Sequence, residues 1–468
     1  MNQTLKKFSN ILEKAFSSFY FTPVIFAIAF VLYFAELTAV AVCLFAIAVV
    51  FILSFCKNIR NIFSLVFYMA FFINDIYNDP RWVVYGIAIG LACFSFLLFF
   101  IKNLILNKEN LTKGKLFYPL IVADVAFLLG GVIGFFSLRV FIITFAFSFA
   151  AYLLYWLAIN FTSGLKEHLF FMFVVGAFLI VIQTLILKII NTEGDFLDQI
   201  IWIGSQNINV ASLFVLFGVV GCYGLGLQKK YDYALFLLAI LLSIGIFIMH
   251  CRLVMFLTAI FTVLCALYTA IKSTNKILFV SVVFGVLLIV SIFYLSYKEQ
   301  ITEFIIKYLG KDFTTTGRRS LWTWCVEKFD ENFLFGAGFV AENDIPGLAA
   351  NPKRIILAHN TLIQWLVSLG LVGTILMMFF YLGKYKVLLE KVNKSTFFLI
   401  ISVLVIETSG LMDQAATMDI FVYILSLVLI GAIEIEPKKD NDSLFCKDDL
   451  RIFKKKVENS SLENLQKD

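Results

Sequence analysis

Apolar stretches close to twenty residues long recur along this chain from Phe19 to Ile435, and no other feature restricts its fold as tightly. As helices, such stretches are long enough to cross a hydrocarbon core of about 30 Å. They do not alternate apolar with polar residues, as the short strands of a membrane barrel would. Composition agrees with lipid as the solvent: 61% of residues are hydrophobic, 15% are charged and mean hydropathy is +0.92. A water-exposed globular surface does not accommodate that balance.

The expected fold class is an all-α polytopic membrane protein of about 12–14 transmembrane helices with one large extracytoplasmic loop containing short helices. The runs fall near residues 20–35, 38–56, 61–73, 83–101, 117–137, 140–160, 169–187, 207–227, 233–249, 253–271, 277–296, 358–382, 396–412 and 420–435. The third is short, and only Glu36 and its neighbours separate the first two. The chain divides into an N-terminal segment 1–18, helices 1–11 over 19–296, the large loop 297–357, helices 12–14 over 358–435 and a charged tail 436–468.

Orientation follows from the basic residues. With the N-terminus inside, the inner segments and loops carry 18 cationic residues, among them Arg60, Lys115, Lys166, Lys384 and Lys391. The short outer loops carry four, namely Arg81, Arg139, Lys188 and Arg252. That is the positive-inside pattern, and it puts both termini in the cytoplasm and the long loop outside. The first eighteen residues lead into an apolar run too long for a signal-peptide core, so the first span reads as an uncleaved anchor. The tail mixes charges and is poor in aromatics, and no chemistry is assigned to it.

Several function classes drop out. The net charge of +6 follows from topology and carries no implication of nucleic acid. Eight scattered cysteines form no C-x-x-C pair, and His168, His250 and His359 are too dispersed to suggest a metal cage. There is no G-x-x-x-x-G-K-[ST] loop for a nucleotide, which excludes an ATP-driven machine of that kind. Neither a metal nor a cofactor is expected. No internal repeat is evident, which weighs against a transporter built from inverted repeats.

The chemistry concentrates in the loop and its flanks. The segment from Thr314 to Cys325 reads as a turn and then a helix, with Leu321, Trp322, Cys325 and Phe329 at helical spacing. Arg318 lies one turn before Trp322. A guanidinium beside free N–H groups at a helix start suits a phosphate group. An interfacial helix with tryptophans at headgroup depth fits the same residues. Gly336 and Gly338 end that helix in a tight turn. The chain then passes Pro346, Pro352, Lys353 and Arg354 and reaches His359 at the outer mouth of the next span, where imidazole could take a proton from a hydroxyl or merely cap the span. Arg252 stands between two apolar runs at an outer end and either faces a cavity or snorkels to the interface. His250, about 100° from Cys251 around an ideal helix, is secondary. Asp124 and Glu407 fall within spans, and Asp413 and Asp419 in the last outer turn. Carboxylates there are the best support for a transporter, although structural partners would explain them equally.

Taken together, Thr316-Gly317-Arg318 with Trp322, Leu334-Phe335-Gly336-Ala337-Gly338, Ala358-His359-Asn360, and Gly370 with Gly373 resemble the family of O-antigen ligases and Wzy-type O-antigen or capsular polysaccharide polymerases. Arg252 looks like the arginine of that family's serine-arginine element, with Cys251 in the usual serine position. Asn207-Ile208-Asn209-Val210-Ala211 is a weaker match. The resemblance covers roughly residues 200–375. It implies a metal-independent glycosyltransferase at the outer side of the bacterial cytoplasmic membrane, whose donor is an oligosaccharide on undecaprenyl diphosphate. Arg252 and Arg318, or Arg319 in its place, would hold the diphosphate, and His359 would act as base for the acceptor hydroxyl, with inversion. Polymerase is the favoured reading over ligase, and a secondary transporter or flippase is the rival outside enzymology. The partners implied are the lipid-linked donor, a glycan acceptor and membrane lipid, with a chain-length regulator and a flippase in addition, and no nucleic acid.

Overall fold

The computed structural model describes residues 3–73, 81–106, 111–130, 151–191, 201–226, 232–272, 318–338, 358–411 and 420–437, with isolated positions between 277 and 296. Most of the span expected near 277–296 lies outside the described residues, as do loop residues 297–317 and 339–357, Arg139, Asp413, Asp419 and the tail beyond 437.

The fold is all-α and polytopic. Its helices are α1 (Gln3–Phe16), α2 (Phe21–Phe34), α3 (Thr38–Phe55), α4 (Arg60–Met69), α5 (Trp82–Phe100), α6 (Phe117–Leu129), α7 (Ala151–Asn160), α8 (Leu165–Ile190), α9 (Ile208–Gly226), α10 (Asp232–Met249), α11 (Arg252–Lys272), α12 (Arg318–Glu331), α13 (Thr361–Glu390), α14 (Phe397–Gly410) and α15 (Ile420–Ile435). A two-stranded hairpin, β1 (Trp202–Ile203) with β2 (Gln206–Asn207), precedes α9. Six described helices are long and apolar enough to cross a membrane. A seventh results if the pair 9–16 and 21–34, bent by 66°, forms one span. Five more apolar helices are shorter.

Glycines set the closest helix contacts. Gly218, Gly221 and Gly224 line one face of α9 and meet Ala177, Phe173 and Phe170 of α8, so the two backbones approach where a larger side chain would hold them apart. All of α9 from Ala211 onward is buried, which makes it the centre of the bundle. Gly176 of α8 receives the ring of Tyr68 from α4. In α6, Pro119 packs on Gly383 and Gly130 on Ser368 and Leu369, so α6 and α13 run antiparallel. By contrast α5 leaves much of its apolar surface exposed, as a helix at a lipid boundary does.

One end of the bundle gathers most of the described ion pairs. Lys115 pairs with Glu390 at 2.5 Å, and its backbone N–H donates to Glu434 at 2.9 Å. Lys166 pairs with Glu436 at 2.7 Å and bonds Ser395, while Lys391 donates to the Glu436 carbonyl at 3.0 Å. Arg60 reaches the carbonyls of Ser17 and Ser163 at 3.0 and 3.2 Å. We call this the basic end and the other the loop end.

Two lysines assigned to loops by sequence are corrected. Lys384 lies inside α13 with its side chain 3% exposed, bound to Glu407 of α14. Lys188 lies in the last turn of α8, 1% exposed. A hydropathy run stops at the first charge, whereas a helix continues as long as its backbone bonds do and its lysines find partners. Glu36 does separate two helices, at a φ of 58° between α2 and α3.

Gly176→Val should force the Tyr68 ring aside and cost about 1–3 kcal/mol, read as a lower thermal midpoint in detergent. Gly86→Ala, where a Cβ meets nothing within 4 Å inside α5, should leave the midpoint unchanged or raise it slightly.

Candidate active site

His359 sits in the turn that opens α13, and its neighbours are held from three directions. The Ala358 carbonyl accepts the Trp322 indole N–H at 2.6 Å, and the Ala358 N–H donates to the Gln364 side chain at 2.8 Å. Asn360 caps α13 by accepting the Ile363 N–H at 3.0 Å, and its amide donates to the Leu411 carbonyl at 2.8 Å. The Thr361 hydroxyl donates to the Gly410 carbonyl at 2.8 Å. Between these clamps His359 has a φ of 50°, the left-handed region that residues with a Cβ enter at a cost. Bonds on both sides over-determine that conformation, and the imidazole itself is half-buried. Strain held in place by its surroundings is typical of sites whose geometry is used.

The helix predicted after Gly317 is α12, and it docks beside this turn. Cys325 packs with Ala358 and Val367, flanked by Leu321, Trp324 and Ile363. Arg318 and Arg319 open α12, one turn before the Trp322 tether. Their side chains lie outside the described part of the structure. Burial pushes the Cys325 thiol up to about 11, so this cysteine is packing and not a nucleophile.

The chain leaving α12 turns at Gly336 and Gly338, with φ of 74° and 76° as the glycine pattern requires. It then does something the pattern did not announce. Gly370, at φ 66° and ψ −168°, breaks α13 in two. The N–H groups of Leu371 and Val372 that the break releases donate to the carbonyls of Phe333 and Leu334 at 2.9 and 3.0 Å. Ala337 in turn donates to the Val367 carbonyl at 2.7 Å. A Cβ on Gly336 would lie 2.5 Å from the Gly370 nitrogen, so both positions need glycine.

Arg252 is the first residue of α11 and is exposed. Tyr268 of α11 stacks on Phe397 of α14 with ring centroids 3.9 Å apart. From that contact Arg252 is sixteen residues back and Gly410 thirteen on, about 24 and 20 Å along ideal helices. The end of α14 lies at the loop end, where the Gly410 and Leu411 carbonyls hold Thr361 and Asn360. His250 is not helical, contrary to the expected geometry. It occupies the turn between α10 and α11 at φ 57°.

Sequence reasoning missed the groups that hold the site: Trp322 as a tether, Gln364, Asn360 and the carbonyls at the end of α14. Asn360 three residues before Ile363 was a legible cap. The others depend on contacts between segments far apart in the chain. Among the described residues no group of three His, Cys, Asp or Glu side chains is arranged to hold a metal ion.

A polytopic all-α bundle with a broken helix, a docked loop helix and a strained histidine at one end is the class of protein these features define. Residues 237–378 match the family model described as Wzy_C, O-antigen ligase, which supports membership of the O-antigen ligase and Wzy-type family. The matched segment contains Arg252, Arg318, Arg319 and His359. The match supports surface-polysaccharide biosynthesis, a glycosyltransferase-like enzyme and lipid-linked glycan substrates. No curated protein matches the chain.

Trp322→Phe should leave the Ala358 carbonyl unpaired and cost about 1–3 kcal/mol, seen as faster proteolysis within 318–338. Gly370→Ala should have the larger effect on the same readout. Cys325 should resist maleimide at pH 8 in folded protein and react once the protein is unfolded, because burial holds it as the thiol.

Proposed function

We propose that this protein polymerises undecaprenyl-diphosphate-linked oligosaccharide repeat units on the outer side of the bacterial cytoplasmic membrane. In the proposed step the acceptor hydroxyl attacks the anomeric carbon of the donor and gives its proton to His359. The bond from that carbon to the diphosphate oxygen breaks with inversion, and undecaprenyl diphosphate leaves with the electron pair. Arg252 and Arg318, with Arg319 as substitute, neutralise the charge that grows on the leaving group. Such a step needs alignment and electrostatic stabilisation and no covalent nucleophile.

The observation that carries this reading is the Trp322–Ala358 hydrogen bond, which ties the helix begun by Arg318 to the turn that holds His359. A phosphate-binding helix start and a base then belong to one rigid unit. The basic end faces the cytoplasm in this reading, with both termini, in accord with the distribution of cations. Delivery of the donor and control of chain length fall to a flippase and a regulator.

Ligation of the same donor glycan to a lipid A core or another acceptor is the second reading, favoured by the description of the matching family model. The transporter reading loses one of its four carboxylates, since Glu407 is bound by Lys384.

Protein reconstituted with a purified undecaprenyl-diphosphate repeat unit should yield a ladder of chain lengths. Arg318→Ala and His359→Ala should each remove it, by a factor of about 100 or more in rate, with the protein still in the membrane. Transfer only to an added lipid A core would select the ligase, and solute flux without any glycan product would overturn both.

A further inference from the structure

Beneath the His359 turn lies a buried charge cluster that the reaction proposed above does not use. Glu407 of α14 pairs with Lys384 of α13, and the two side chains are 11% and 3% exposed. The Tyr381 hydroxyl is within hydrogen-bonding reach of the same carboxylate. The Lys384 ammonium lies 4.1 Å from the centre of the Tyr381 ring. That ring meets Trp365 edge to face, with centroids 5.0 Å apart and planes at 67°.

Glu407 thus connects to the His359 turn along two routes. In sequence it stands one turn before Gly410 and Leu411, whose carbonyls receive Thr361 and Asn360. Through Tyr381 it reaches Trp365, one turn into the first half of α13 and 7% exposed. The break at Gly370 makes the second route matter. A continuous helix would carry Thr361 rigidly with Tyr381, but the two halves of α13 are joined through a glycine, and side-chain contacts across the break must set their angle. Stability alone does not account for a charge pair here, because a buried pair replaced by apolar groups of similar size is often neutral or better.

We propose that Glu407, held by Lys384, is a positioning residue for glycosyl transfer: it fixes Tyr381 and the end of α14, and so the angle at which the first half of α13 presents His359 to the acceptor hydroxyl. The inference rests on His359 acting as the base. It predicts loss in the chemical step and none in donor binding, since neither Glu407 nor Tyr381 belongs to the diphosphate site.

The test measures kcat and donor KM in proteoliposomes supplied with the lipid-linked repeat unit, for Tyr381→Phe, Glu407→Gln, Glu407→Asp and the apolar pair Lys384→Met with Glu407→Leu. Tyr381→Phe, Glu407→Gln and the apolar pair should lower kcat about 10- to 100-fold at unchanged donor KM, while Glu407→Asp recovers most of the rate. The apolar pair should melt at the wild-type temperature, which separates positioning from folding. A stable apolar pair that transfers at the wild-type kcat would sink the proposal alone, as would kcat losses that only track loss of folded protein. Wild-type protein that transfers no lipid-linked glycan would remove the enzymatic reading, and this inference with it.

Discussion

Peptide groups released inside an apolar helix must find partners, because lipid offers none. At Gly370 the partners are the carbonyls of Phe333 and Leu334, supplied by the turn that follows α12. The joint is made of backbone alone, with glycine required on both sides. Its consequence is that α12 and the turn after it are bound to α13, and the direction of α12 then sets where Arg318 stands relative to His359.

Around that joint, polar side chains clamp a turn that would otherwise be free. Trp322, Gln364, Asn360 and Thr361 together satisfy both sides of His359, and the histidine accepts an unfavourable φ as a result. Each bond is worth little by itself, about 1 kcal/mol net. Their joint effect is geometric, because four contacts from three separate helices leave the turn a single arrangement. Pre-organisation of this sort lowers a barrier without new chemistry.

Charge is distributed by a related logic. At the basic end the Lys115–Glu390 pair is open to solvent, whereas Lys166 and Glu436 are largely buried between helices. Lys384 and Glu407 are instead enclosed by α13 and α14 and by the rings of Tyr381 and Phe380. A lone charge at that depth would be costly, so the two residues require each other. The same pairing turns Glu407 from support for a transporter into part of the frame beneath the turn.

Much of the fold was legible in the sequence. Apolar runs identify most helices, Glu36 marks the break between α2 and α3, and the spacing of Leu321, Trp322 and Cys325 announces α12. The glycines at 336 and 370 and the histidine at 359 were legible as unusual residues. Their relation was not. Periodicity and hydropathy report what each segment needs from its surroundings, over a few turns of chain. Whether Phe333 lends its carbonyl to Leu371, or Trp322 reaches Ala358, depends on how segments more than thirty residues apart pack against each other. The sequence by itself determined a helical membrane protein and the residue types at its candidate site. Only the tertiary structure decided that the loop fills the break in α13, because the demand for backbone partners is local while the group that meets it comes from elsewhere in the chain.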